Sequence, residues 1–338
     1  MNMIPQSNGL YKVKRDRKVA KKGYIKIILM ILVSLLVSGF IFQSLHDFIG
    51  NEKISSSLYY TKVDGKKIEY NYSGSGDYTI VFAGAIGTNL YQWNSIAQEL
   101  QQELGVKTFV YNRSGYGFSE SNEMKTPKDQ AEDLKILLRK AGVSGNIILV
   151  GEEYGSLIMS NFAALYPESV QGVVLVNPYN ELEIKSEEYK KSIKNKYYKS
   201  YIQYLGSYIG LTSLLDKFNL SYEIKSFVEN LSDVQREEYD IKKNQKNYRQ
   251  AILNEFESLY KYEDTSQNEG LLEDKPLYLI TKNDNEPLTL MGNSKYTTLY
   301  KTESEEENIS TTDGKAIIDG IKVVVRESKK INKSKSLD

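Results

Sequence analysis

A chain of 338 residues holds one large domain or two small ones. Its 44 basic and 44 acidic side chains cancel, so no polyelectrolyte signal points to nucleic acid as a partner. It has no Cys and a single His, His46, which excludes disulfides, thiol catalysis, Cys-based zinc sites and multi-His metal sites in the body of the chain.

Residues 1–26 are basic, with Lys12, Lys14, Arg15, Arg17, Lys18, Lys21, Lys22 and Lys26 against one acid, Asp16. An uncharged, almost wholly apolar run follows from Ile27 to Leu45, close to the ~20 residues that span a hydrocarbon core. The run is apolar on every face, which argues against a buried core helix. A cleaved signal peptide fits less well than an uncleaved anchor, because the basic region is long and Val37-Ser38-Gly39 is a poor cleavage site. The positive-inside rule puts residues 1–26 in the cytoplasm and everything after Leu45 outside it, a single-pass protein of the cell membrane.

After a short polar linker, Leu58–Val63 and Ile68–Tyr72 read as a hairpin turned by Asp64-Gly65. Strand and helix then alternate from 78 to 178. Tyr78–Phe82, Val106–Tyr111, Asn146–Val150 and Val170–Asn177 are apolar runs of strand length. Asn89–Leu104 has helical spacing, and Thr126-Pro127 opens a helix that stops at Gly142. Tyr154–Tyr166 is a third helix, ended by Pro167. Such alternation predicts an α/β fold, a mostly parallel sheet with helices on both faces. Residues 181–272 break the rhythm and read as a helical lid with two apolar faces to bury, one at Tyr201, Tyr204, Leu205, Tyr208 and Ile209 and another at Ala251, Ile252, Glu255, Phe256 and Leu259. Strand character resumes at Pro276–Thr281 and Tyr296–Tyr300. Gly314–Glu327 suits a last helix, although Val323-Val324-Val325 also suits a strand, and the polar tail from Ser328 is expected to fray. The expected plan is a basic segment 1–26, an anchor 27–45, a core from 58–180 and 273–328, a lid 181–272 and a tail 329–338.

One stretch carries the chemistry: Leu149-Val150-Gly151-Glu152-Glu153-Tyr154-Gly155-Ser156 is a strand, a G-x-x-x-G turn and a helix start, the form of a nucleophile elbow. It does not stand alone. Val81-Phe82-Ala83-Gly84-Ala85-Ile86-Gly87 sits where an oxyanion loop belongs, with Trp93 after it. Tyr111-Asn112-Arg113-Ser114-Gly115-Tyr116-Gly117-Phe118-Ser119, the helix Asp129–Gly142 and Phe162-Ala163-Ala164-Leu165-Tyr166-Pro167 follow in order. Over about a hundred residues the chain resembles the α/β-hydrolase superfamily, in its lid-containing branch.

The resemblance implies an elbow nucleophile, a His and an acid. The elbow position is Glu153, the acid position falls on Asp284, and the His position falls in the loop before the last helix, around Glu305–Asn308, yet no His follows position 46. It further implies oxyanion donors at the backbone of Ala85 and Tyr154. Ser114 and Ser119 read as capping residues of their loop, Ser156 and Ser160 as helix residues. No cofactor is expected, and Asp313 with the acidic run Glu303–Glu307 reads as a solvated loop, since its spacing fits no EF-hand. Three functions fit: a membrane-anchored hydrolase fold that has lost its chemistry and binds a small molecule or protein, an active ester or epoxide hydrolase using Glu153 as nucleophile or base, and an interaction module that docks through its lid. A Glu nucleophile would be one methylene longer than the Asp some relatives use, which shifts its line of attack.

Overall fold

Four apolar strand-length runs, each buried on both sides, can only be satisfied by a sheet covered on both faces. The computed structural model of the protein describes residues 17–55, 58–121, 123–282, 286–306 and 308–335. In chain order it runs α1 (Arg17–Lys53), β1 (Tyr59–Val63), β2 (Lys66–Gly74), β3 (Tyr78–Ala83), a 3-10 turn (Leu90–Trp93), α2 (Asn94–Leu104), β4 (Lys107–Tyr111), α3 (Pro127–Lys140), β5 (Asn146–Glu152), α4 (Tyr154–Leu165) and β6 (Val170–Val176). There follow α5 (Glu181–Ile184), α6 (Glu187–Gly206), α7 (Leu211–Lys217), α8 (Lys225–Glu229), α9 (Asp233–Lys242), α10 (Lys246–Tyr260), β7 (Leu277–Thr281), α11 (Glu286–Thr289), β8 (Thr297–Lys301), α12 (Ile309–Thr312) and α13 (Gly314–Lys335).

The strands form one sheet in the order β1-β2-β4-β3-β5-β6-β7-β8. The β1–β2 and β2–β4 pairs are antiparallel and the remainder parallel, so the predicted hairpin adds an edge to a parallel core. β5 lies centrally, and its side chains alternate. Ile147 and Leu149 join the core under α3, α4 and the lid, while Ile148 and Val150 join the core under α2 and α13. The sheet therefore delivers residues 151–155 to the middle of its C-terminal edge, where open α/β sheets carry their sites.

Local chemistry fixes the helix ends. Thr126 and Asp129 form a reciprocal capping box at the start of α3, with Pro127 in the first turn. The predicted helix Asn89–Leu104 is two pieces: the Asn89 side chain caps the 3-10 turn, and the α-helix begins only at Asn94. The last helix differs too. Val323–Val325 is helical, and the helix continues to Lys335 where fraying was expected. Polar contacts hold that extension: Asn332 donates to Tyr78 Oη and to Gln171, and Lys335 pairs with Asp274. At the other end, α1 contains a stretch, Gly23–Lys53, long and apolar enough to cross a membrane. It extends eight residues past Leu45, the expected end of the anchor.

Candidate functional site

The elbow is built by close approach. A Cβ on Gly151 would meet the Gly155 carbonyl at 2.6 Å, and one on Gly155 would strike the Ala83 carbonyl. The turn between them places Glu153 at φ 48°, ψ −111°, a strained conformation for a side-chain-bearing residue. Its backbone is held on both sides, by Glu153 N–H to Val176 O at 3.0 Å and by Ser156 N–H to Glu153 O at 3.0 Å. Ser156 Oγ donates to the same carbonyl and accepts from Tyr179 N–H, a structural hydroxyl as expected. The Glu153 side chain is buried, and its Oε1 accepts from Asn177 Nδ2 at 3.3 Å. Burial raises the Tyr189 phenol, and the nearby Glu153 charge adds to the rise.

Its neighbour Glu152 points elsewhere, because the positive φ at 153 turns the chain between them. Glu152 is fully buried and accepts from Ile309 N–H at 2.5 Å, Ser310 N–H at 3.1 Å and Asn308 Nδ2 at 3.1 Å. It thus caps α12 from below the elbow, in the loop where the resemblance places a catalytic His. Burial pushes its carboxyl up to about 7, although these N–H donors pull the other way. Gln92 closes the network. Its Nε2 donates to Glu152 and, at 2.9 Å, to Ser310 Oγ; its Oε1 accepts from Thr88 Oγ1 and from Ala85 N–H at 3.2 Å. The Ala85 N–H, an expected oxyanion donor, is therefore engaged by an internal acceptor.

A second network lies toward the lid. Arg113 is buried and forms a two-pronged pair with Glu255 of α10, Nε–Oε1 2.5 Å and Nη2–Oε2 3.0 Å. Nη1 and Nη2 also donate to the carbonyls of Gly84 and Ala85, at 2.8 and 2.9 Å. Tyr116 Oη donates to Glu255 at 2.7 Å and accepts from Gly87 N–H, while Tyr248 Oη donates to Gly87 O at 2.8 Å. Burial alone would lower the Arg113 guanidinium, and the Glu255 carboxylate more than reverses this. Tyr154 is buried beside Arg113, with its hydroxyl bound to Gln130 and Ser258. The lid helix α10 is thereby fastened to the loop 84–87 and to the helix after the elbow.

Of the residues singled out in the sequence, Glu153, Tyr154 and Ala85 converge on one end of the sheet. Asp284 lies outside the described residues, as does Glu307 of the acidic run. His46 sits on α1, with its ring 6.1 Å from that of Phe42 and half exposed. Ser119 accepts from Glu69 N–H and donates to Asn112 O, and Ser114 donates to Glu120 O, so both serve their loop. Among the described residues no group of His, Asp and Glu is arranged to hold a metal ion. A cleft lined by Tyr111, Arg113, Lys125, Gln130, Asp133 and Glu255 among others does not include Glu153 in its wall. Gln92, Asn308 and Ser310 went unread in the sequence. Glu255 carried a signal, a carboxylate in the middle of an apolar helix face.

The α/β-hydrolase fold family model matches residues 78–268. Among curated sequences, the uncharacterized protein YqjL of Bacillus subtilis is 32% identical over 106 residues, 31% of this chain and 41% of its own length. A cis-3-alkyl-4-alkyloxetan-2-one decarboxylase of Shewanella oneidensis is 27% identical over 118 residues, 34% of this chain and 36% of its own. The chain spans less than half the length of the curated relatives it matches. Among solved structures, the epoxide hydrolase CorEH superposes with a TM-score of 0.63 at 13% identity, covering 80% of this chain and 99% of that one. An enol-lactonase of Burkholderia xenovorans gives 0.58 at 15% identity, covering 79% and 100%. At such identities the structures speak for the fold alone. With the elbow, the eight-stranded sheet and the family match in agreement, the chain belongs to the α/β-hydrolase fold family.

Proposed function

We propose that this protein is a single-pass membrane protein whose hydrolase-fold domain lies outside the cytoplasm, has lost hydrolysis, and works by binding a small molecule or protein. The observation that carries this reading is the elbow itself: it presents a carboxylate to Asn177, in a chain with no imidazole after position 46. Acyl transfer and epoxide opening both need a base to move a proton, from the nucleophile or from water. The engagement of the Ala85 N–H by Gln92 supports the same reading, since a donor already paired cannot stabilise a developing oxyanion without rearrangement. So does the fastening of α10 over the loop 84–87. The test is turnover of short acyl esters and epoxides by the purified full-length chain, with Glu153→Ala alongside. No turnover above the variant is expected; robust turnover that the substitution abolishes would overturn the reading.

A second reading has one observation in its favour. Glu153 keeps the strained elbow backbone, which holds a side chain at the tip of the turn. In that reading a Glu153 oxygen attacks an epoxide carbon, the C–O bond breaks, and the alkoxide takes a proton from solvent. The resulting ester would persist, because no base activates water to hydrolyse it. Intact-mass measurement after incubation with epoxides would then find a stable adduct on Glu153; its absence across substrates removes this reading.

A further inference from the structure

Several large apolar side chains that a soluble domain would bury stand exposed on one part of the lid. On α6 they are Tyr198, Tyr201, Ile202 and Leu205, spaced along one helix face, and on and after α7 they are Leu211, Leu214, Phe218 and Leu220. Leu214 is 53% exposed and Phe218 66%. The same region touches α1. Gly39, Gln43, Asp47 and Gly50 recur on one face of α1 and are the positions at which that helix becomes covered. A Cβ on Gly39 would strike the carbonyl of Ile209, and one on Gly50 would meet Ile241 at 2.8 Å. Gln43 accepts from Ser213 Oγ at 3.2 Å, and Asn51 accepts from Lys242 and Gln245 at 2.9 and 3.1 Å.

We propose that this apolar face of α6 and α7 is seated in the lipid bilayer, in the leaflet on the domain's side, beside α1. The inference rests on the reading of α1 as a membrane span and deepens it. The apolar run of α1 ends at Leu45, and Gly39 lies six residues inside it, about 9 Å at 1.5 Å per residue. The Ile209–Gly210 turn that touches Gly39 and Phe42 must share that depth. This is the depth at which interfacial amphipathic helices lie, roughly 5–10 Å below the headgroups. The composition of the patch agrees. Leu211, Leu214 and Phe218 suit acyl chains, Tyr198 and Tyr201 suit the headgroup level, and exposed Lys199 and Lys217 can extend toward phosphates. Lipid is favoured over a second copy of the chain because the patch is continuous with an α1 surface that is apolar all round and needs hydrocarbon on its other faces.

The natural absence of Cys gives a direct test in the full-length chain reconstituted in vesicles. Single-Cys variants Leu35→Cys, Leu214→Cys, Phe218→Cys and Leu290→Cys are labelled with a fluorophore and exposed to a quencher carried on lipid acyl chains or to one dissolved in water. Leu214 and Phe218 probes are expected to follow the Leu35 probe, quenched by the lipid-borne reagent and lost to the aqueous one, while the Leu290 probe does the reverse. If Leu35 is lipid-quenched but Leu214 and Phe218 are reached from water, the seating of the lid is overturned and the anchor stands. If Leu35 itself is reached from water, the anchor reading falls and the inference with it. Shielding of Leu214 and Phe218 from both reagents would mean a protein partner on this face and would likewise overturn the inference.

Discussion

Two buried carboxylates flank the elbow and are settled in opposite ways. Glu255, above it, is met by a guanidinium that spans it with two bonds and spends its other donors on the loop 84–87. Glu152, below it, has no cation among its described partners and is held by N–H groups of α12, Asn308 and Gln92. The first arrangement joins the lid to the core by charge. The second joins the elbow strand to the loop before α13 by dipoles, and leaves a proton near neutral pH to decide its state. The difference teaches that the two ends of this site should fail differently: the lid side by loss of a partner, the strand side by change of pH.

The largest effect should come from breaking the upper pair. Arg113→Ala or Glu255→Ala strands a buried charge, and chemical unfolding should register a loss of about 3–5 kcal/mol, while the double change Arg113→Met with Glu255→Leu should recover most of it. A double variant as weak as either single one would mean that the pair's worth lies in packing.

Next comes pH. Glu152 has a folded pKa above its unfolded value, near 4.5, so between that value and about 7 the native state holds a proton the unfolded chain has released. Stability contributed by the protonated form is complete below the unfolded pKa and is lost as pH rises through 7, a fall of roughly 3 kcal/mol. Glu238, also pushed up to about 7 by burial against the pull of Tyr91, adds a fall of the same sign. Glu152→Gln should flatten the profile in this window and leave the Glu238 part; an unchanged slope would show that the N–H donors keep Glu152 ionised.

Smaller again is Gln92→Ala, which orphans Ala85 N–H and removes one donor from Glu152, at about 1–3 kcal/mol in a thermal or urea melt. The smallest effect has the opposite sign. Glu153→Gly should stabilise by about 1 kcal/mol, because glycine takes φ 48° without strain and this relief outweighs contacts such as the 3.3 Å bond to Asn177. A loss instead of a gain would mean that the Glu153 carboxylate is worth more to the fold than its elbow strain takes away.

Much of the frame was legible because burial on two faces leaves an unbroken apolar run, as in Ile147–Val150 and Val173–Val176. The α3 boundary was legible because capping is a local chemical act of Thr126 and Asp129. What hydropathy could not carry were polar residues used inside. Gln92, Asn308 and Ser310 carry no hydropathy signal of burial, yet they are buried and paired with one another and with Glu152. The extension of α13 was hidden for the same reason, since Ser328 and Asn332 secure it through the Tyr78 hydroxyl. The divergence of Glu152 from Glu153 depends on a single positive φ, which neighbouring letters do not encode.

The Gln92 side chain touches the loop of Ala85, the strand of Glu152 and the turn of Ser310 at once, so a change in any one of the three segments is felt by the other two. A Ser at 153 and a His near 308, introduced as a pair, would still meet an amide occupying the Ala85 N–H and a carboxylate occupying the turn. On the proposed reading, hydrolysis would need changes at 92 and 152 as well, with intermediates that leave buried polar groups unmatched. If that reading holds, the route to catalysis is steep at every first step, and a directed-evolution experiment should reach activity only when these positions are varied together.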